Sequence, residues 1–143
     1  MHLHLRELTI TDAEPIANLS SQLGYDASVS ETKVWLQEIL QRKDHCVFGA
    51  VQGDKLIGWI HGFYTLRLES GAFVEIGGLV VEESYRGTGA GRKLVEQVRA
   101  WAKQKGASKV RVRCNAKRTD THDFYKAIGF KEVKEQKIFD ILP

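Results

Sequence analysis

Arg86-Gly87-Thr88-Gly89-Ala90-Gly91 is the part of this sequence that most clearly offers chemistry. It lies between the apolar run Leu79-Val80-Val81 and a stretch of helical periodicity. The first turn of a helix has backbone N–H groups without internal partners, and the macrodipole makes that end electropositive. Alternate glycines let the backbone approach phosphate oxygens closely, and Arg86 adds a charged donor at the mouth of the loop. A tight strand-to-helix turn would also use glycine for its dihedrals alone, but three alternate glycines after an arginine favour an anion site. Two familiar phosphate loops do not fit. A Walker A loop needs Lys and then Ser or Thr after its last glycine, whereas Gly91 is followed by Arg92-Lys93. A dinucleotide fingerprint needs a different final glycine spacing and an acidic residue about 20 positions on, where Val110-Arg111 stands.

Other residues offer chemistry less specifically. Glu75 is a charged residue inside an otherwise apolar run, Phe73 to Val81. Tyr125 and His122 stand one helical turn apart, and Trp59, His61 and Tyr64 lie in a β-rich stretch, where they line a pocket or simply pack on a sheet. The cysteines, Cys46 and Cys114, match no metal or redox spacing and read as reduced apolar side chains rather than catalytic thiols. No metal site is expected.

The elements that must position these groups follow from periodicity. Leu3, Leu5 and Leu8 suggest a first strand ending near Thr9. Thr11 or Asp12 can cap a helix that carries Pro15 in its first turn and stops at Gly24. Ser30 begins a second helix with Val34, Trp35, Ile39 and Leu40 on one stripe. Cys46 to Val51 and Leu56 to Leu66 read as a hairpin about Gln52–Lys55, and a turn at Glu69–Gly71 leads into the strand Phe73–Val81. The adjacent Gly77 and Gly78 mark a bulge within that strand.

After the glycine loop, Leu94, Val95, Val98, Trp101 and Ala102 define an amphipathic helix closed by Gly106. Val110, Val112 and Cys114 alternate as a strand, Thr121 to Ile128 form a short helix, and Phe130–Val133 with Lys137–Leu142 make a closing hairpin. The fold class is therefore an α/β (α+β) sandwich of order βααβββαβαββ, a mixed and mostly antiparallel sheet flanked by helices. Residues 1–143 are expected to form a single domain.

Composition narrows the classes of function. The chain of 143 residues is 43% hydrophobic and 27% charged, as expected of one soluble domain. A net charge of +3 from scattered residues does not suggest a nucleic-acid partner. No apolar run approaches a membrane span, and the start of the chain lacks the apolar stretch of a signal peptide, so a cytoplasmic protein is expected. The sequon Asn18-Leu19-Ser20 is then a chance match.

Arg86-x-x-Gly89-x-Gly91 after Leu79-Val80-Val81, together with Asn115 and Phe124-Tyr125-x-x-x-Gly129-Phe130, resembles the GNAT N-acetyltransferases along essentially the whole chain. That resemblance implies acetyl-CoA as co-substrate. Backbone N–H groups of Arg86, Gly87, Thr88, Gly89, Ala90 and Gly91 would hold its pyrophosphate, and Leu79 and Val81 would pair with the pantetheine arm. An N–H near Val80 or Val81 would stabilise the oxyanion, and Asn115 would contact pantetheine or the intermediate, unless it serves as a strand-end turn residue. The bulge at Gly77-Gly78 would splay this strand from the one ending at Cys114.

The implied reaction is direct attack of a primary amine on the thioester. Such an amine, with a pKa near ~10.4, is only about a thousandth neutral at pH 7.4. Glu75 is the candidate base and Tyr125 the candidate acid toward the departing thiolate. Glu75 paired structurally with an arginine, and Tyr125 as a packing residue, are the plainer alternatives. Tyr25 and Asp26, in the loop Gly24–Ser28, are candidate acceptor contacts that with Glu75 would suit a cationic amine. Asn115-Ala116-Lys117-Arg118-x-x-x-His122 is similar to small-molecule branches of the family, including aminoalkylphosphonate acetyltransferases, although Thr65–Leu68 lacks their histidines. A small-molecule amine is therefore placed ahead of a protein N-terminus or lysine. A non-catalytic acyl-CoA-binding module and a longer acyl donor stay open. Family members often dimerise, and residues 136–143 could pair across a homodimer interface.

Overall fold

The computed structural model describes residues 2–143, which form two compact units, the first ending at Val112 and the second comprising Arg113–Pro143. The first unit carries the whole sheet. Strands β1 (His4–Glu7), β2 (His45–Gln52), β3 (Lys55–Arg67), β4 (Gly71–Val81) and β5 (Val110–Val112) lie side by side in chain order. The first three pairings are antiparallel and β4–β5 is parallel. A parallel pairing needs a crossover, and α3 (Ala90–Gln104) supplies it. The mixed, mostly antiparallel sheet is thus as expected. The β2–β3 hairpin closes at Gln52↔Lys55, with Gly53 at φ 60° in the turn.

Helices α1 (Ala13–Gln22) and α2 (Val29–Leu40) join β1 to β2. Before α1, the Asp12 carboxylate receives both guanidinium N–H groups of Arg6 at 2.8 and 2.9 Å and the backbone N–H of Thr9 at 2.7 Å. The bond from Arg6 is the main reason the Asp12 pKa lies below its ordinary value. Helix α2 begins one residue earlier than Ser30. Its cap is Ser28, whose Oγ accepts from Glu31 N while Ser28 N donates to Glu31 Oε1, both at 3.1 Å.

Leu8, Ile16, Leu19 and Leu36 pack with Val47, Val51, Leu56 and Val80 of the sheet in one buried cluster. Residues opposite one another in an antiparallel ladder share a face, so Val47, Trp59, His61, Phe63, Glu75 and Val80 lie on that side of the sheet. The glycines of β3 admit α3 on the other side. A Cβ at Gly62 would lie 3.1 Å from both Cys46 Sγ and Val98 Cγ1, and one at Gly58 would lie 3.4 Å from Leu94. Leu94, Val95 and Val98 are buried there.

The second unit contains α4 (Thr119–Ala127). The closing hairpin expected at Phe130–Val133 and Lys137–Leu142 does not form: residues 130–143 have no regular secondary structure. Val133, Ile138, Phe139, Ile141 and Leu142 are exposed, and no ladder partner accompanies them among the described residues. The Phe130 N–H donates to the Tyr125 carbonyl at 3.0 Å, and Arg113 Nη1 donates to Gln136 Oε1 at 2.7 Å. Among the described residues no helix is long and apolar enough to cross a membrane.

Candidate active site

The glycine loop folds as an anion cradle would require. Gly87 and Gly89 sit at φ 78° and 90°, conformations that residues with a Cβ adopt at a cost, and Gly89 is the N-cap of α3. Gly91 is already within the first turn of the helix. The N–H groups of Arg86 and Thr88 turn back onto the carbonyls of Glu83 and Tyr85, at 3.2 and 3.4 Å. Those of Gly87, Gly89, Ala90, Gly91 and Arg92 make no hydrogen bond to the described residues. Five free donors at the positive end of a fifteen-residue helix are what an oxyanion-rich ligand needs.

Strand β4 leads into this loop with one edge open. Its pairing with β5 ends at Ile76↔Val112, so among the described residues Gly77–Val81 run on without a ladder partner on that side. The β3–β4 register shifts between His61 and Gly62, leaving Gly77 as the extra residue of a bulge, at the glycine pair singled out in the sequence. The Val80 carbonyl points toward β3, since a Cβ on Gly58 would lie 3.0 Å from it. By strand alternation the backbone groups of Leu79 and Val81 turn to the open edge, where an extended ligand can pair with them.

A cavity of about 240 Å³ lies on the α1/α2 side of the sheet and reaches this bulge, with Gly77 and Gly78 in its wall. Tyr25, Trp35 and Trp59 supply its aromatic surface, and Leu8, Leu36 and Val80 part of the aliphatic remainder. Tyr25 thus lines it as expected, while the exposed Asp26 and the strand residue Glu75 are not among its lining residues. His61 is. Its Nε2 lies 2.8 Å from His45 Nδ1, and its Nδ1 faces Gly77, where a Cβ would approach it to 2.9 Å. Burial, reinforced by the neighbouring His45, pulls the His61 pKa down to about 4, so the ring is neutral at pH 7. His45 was not singled out from the sequence, because its partnership with His61 depends on strand register.

The two candidate catalytic residues belong to different units. Glu75 stands opposite Phe63 and beside Arg111 in register, with its Oε1 4.0 Å from Arg67 Nη2 and a side chain only 14% exposed. Tyr125 is buried, edge-on to Phe124 and Phe130 at ring separations of 5.1 and 5.3 Å. Asn115 is exposed and builds a turn. Its Oδ1 accepts from Lys117 N at 2.9 Å, and its carbonyl lies 2.8 Å from His122 Nε2. Tyr64 is half-buried on β3. Burial raises the Cys46 pKa to about 12 and that of Cys114 above its ordinary value, which suits inert thiols.

The model of the acetyltransferase (GNAT) family matches residues 12–130, a span holding the loop, the bulged strand and both candidate catalytic residues. The chain belongs to the GNAT family. It is 26% identical over 132 residues to an uncharacterized N-acetyltransferase of Chlorobaculum tepidum, covering 92% of this chain and 77% of that protein. Among the solved structures that share its fold are two aminoglycoside acetyltransferases. The aminoglycoside acetyltransferase AAC(6')-Iy, in complex with a bisubstrate analogue of CoA and acetylneamine, superposes with a TM-score of 0.90 over 100% of both chains at 22% identity. The aminoglycoside 6'-N-acetyltransferase AAC(6')-Ig of Acinetobacter haemolyticus gives 0.87 over 98% of this chain and 99% of that one, at 15% identity. The GNAT sheet of this chain is accordingly an acyltransferase scaffold.

Proposed function

We propose that this GNAT protein transfers an acetyl group from acetyl-CoA to the primary amine of a small molecule, as a cytoplasmic enzyme. The observation that carries the reading is the set of free N–H groups of Gly87 and of Gly89 to Arg92, next to the open edge of β4. A pyrophosphate fits the first and an extended pantetheine arm the second. The CoA portion named in the AAC(6')-Iy complex is consistent with this. In this reading Leu79 and Val81 hold the arm by their backbones, and the Val81 N–H, on the open edge, meets the oxyanion as the tetrahedral intermediate forms, whereas the Val80 N–H faces β3.

The amine nitrogen attacks the thioester carbonyl, the carbon–sulfur bond breaks, and the amine proton goes to a base. Glu75 is proposed as that base, directly or through water, and Tyr125 as the donor to the departing thiolate. A cavity of about 240 Å³ supports a small acceptor over a protein segment. The test is release of coenzyme A thiol from acetyl-CoA in the presence of individual primary amines. Amine-dependent release with at least one small amine is expected. A folded protein that binds acetyl-CoA and releases no thiol with any amine would instead be a binding module.

A further inference from the structure

The wall of the cavity beside the β4 bulge says what kind of amine it receives. No Asp, Glu, Lys or Arg lines it. Its polar side chains are Ser20, Thr32, Tyr25, the indoles of Trp35 and Trp59 and the neutral imidazole of His61. An acceptor carrying several ammonium groups would find no carboxylate in this wall to pair with any ammonium it buries there, which is unfavourable. A single ammonium meets a different situation. The faces of Trp35, Trp59 and Tyr25 can attract one cation, and His61 offers a neutral ring nitrogen beside Gly77.

Size points the same way. At about 240 Å³ the cavity is below the ~300–1,000 Å³ usual for drug-sized ligands. It suits a body of one ring rather than the linked rings of an aminoglycoside. Trp35 is half-exposed at 52% and Tyr25 at 53%, so an apolar ligand seated between them and Trp59 would cover aromatic surface that now faces solvent.

We infer that the acceptor is a monoamine on a single apolar, ring-sized body, with Trp35 and Trp59 holding the body and the amino group delivered toward Gly77 and His61. The inference rests on the acetyl-transfer reading and departs from the acceptor class named for the structural neighbours. Its test compares 2-phenylethylamine with kanamycin and spermidine in the acetyl-CoA thiol-release assay. The kcat/KM for 2-phenylethylamine is expected to exceed that for either polycation by at least about 100-fold. Trp35→Ala should raise the KM for 2-phenylethylamine about 10-fold and leave the KM for acetyl-CoA near its original value.

Preference for kanamycin or spermidine would overturn the inference and leave acetyl transfer standing. Preference for 2-phenylethylamine that Trp35→Ala does not weaken would overturn the assignment of this cavity. Turnover with none of the three amines, from protein that binds acetyl-CoA, would overturn the inference; the wider amine series then decides whether acetyl transfer survives. Trp35 is half-exposed on α2, so its truncation leaves the buried cluster intact, and Tyr25→Ala provides a second variant with the same expected pattern.

Discussion

The two sides of the β4 bulge are built from different materials. On the proposed donor side the groups are backbone: free N–H groups of Gly87 and of Gly89 to Arg92, and the open edge of Gly77–Val81. On the proposed acceptor side they are side chains, contributed by α1, α2, adjoining loops and three strands and aligned only by tertiary packing. A backbone site requires glycine at fixed positions and little else, so it leaves a local signature in a sequence. A side-chain cavity can change its wall without disturbing the fold, and it leaves no such signature. This contrast accounts for a common scaffold at 15–22% identity with room for different acceptors.

The contrast can be sharpened by variants that touch the chemistry without touching the cradle. Glu75→Gln is the most severe of these. If Glu75 takes the amine proton, kcat falls by up to ~10³-fold near neutral pH, and the basic rise of the pH–rate profile follows the free amine alone. Steady-state rates from pH 6 to 10 read this directly, and an unchanged profile would remove Glu75 from the mechanism. Tyr125→Phe should cost less, about 10–100-fold in kcat, because a thiolate whose acid has a pKa near ~8.5 leaves fairly well unaided. Full retention of kcat would leave Tyr125 as the packing residue between Phe124 and Phe130. Neither change should alter acetyl-CoA affinity much.

The smallest effect belongs to a residue outside both sides. Asp12 is buried and paired with the partly exposed Arg6, so Asp12→Asn should cost about 1–2 kcal/mol in urea unfolding at pH 7, with KM values unchanged. Its folded pKa is depressed, so the stabilisation is complete above the unfolded value near ~3.9 and fades as pH falls through the folded one. The gap between wild type and variant should therefore close as unfolding is repeated below about pH 4. A gap independent of pH would assign the loss to packing.

How much could be read without the structure follows the same division. The helices and strands through α4, the hairpin turn at Gly53, the bulge at Gly77-Gly78 and the glycine loop all rest on local pattern, and all are found. Ser28-x-x-Glu31 is a capping box legible in the sequence, and it sets the start of α2 one residue before Ser30. The terminal hairpin failed for a physical reason. Apolar residues such as Ile138 and Phe139 indicate a fit to a pleated surface, but only a neighbouring strand can make them one. The cavity was beyond local pattern altogether. His45 and His61 stand sixteen residues apart and meet through the β2–β3 register, and Trp35 joins His61 in the cavity wall from a helix.

The account depends most on the donor cradle, and calorimetry of acetyl-CoA binding to wild type beside Gly89→Glu tests it most directly. A side chain at Gly89, where φ is 90°, strains the helix cap, and a carboxylate there repels the pyrophosphate. Saturable binding by wild type that falls at least about 100-fold in Gly89→Glu, with the variant still folded by circular dichroism, is the result predicted. A well-folded wild type that does not bind acetyl-CoA, or a variant that binds it equally well, would contradict the account.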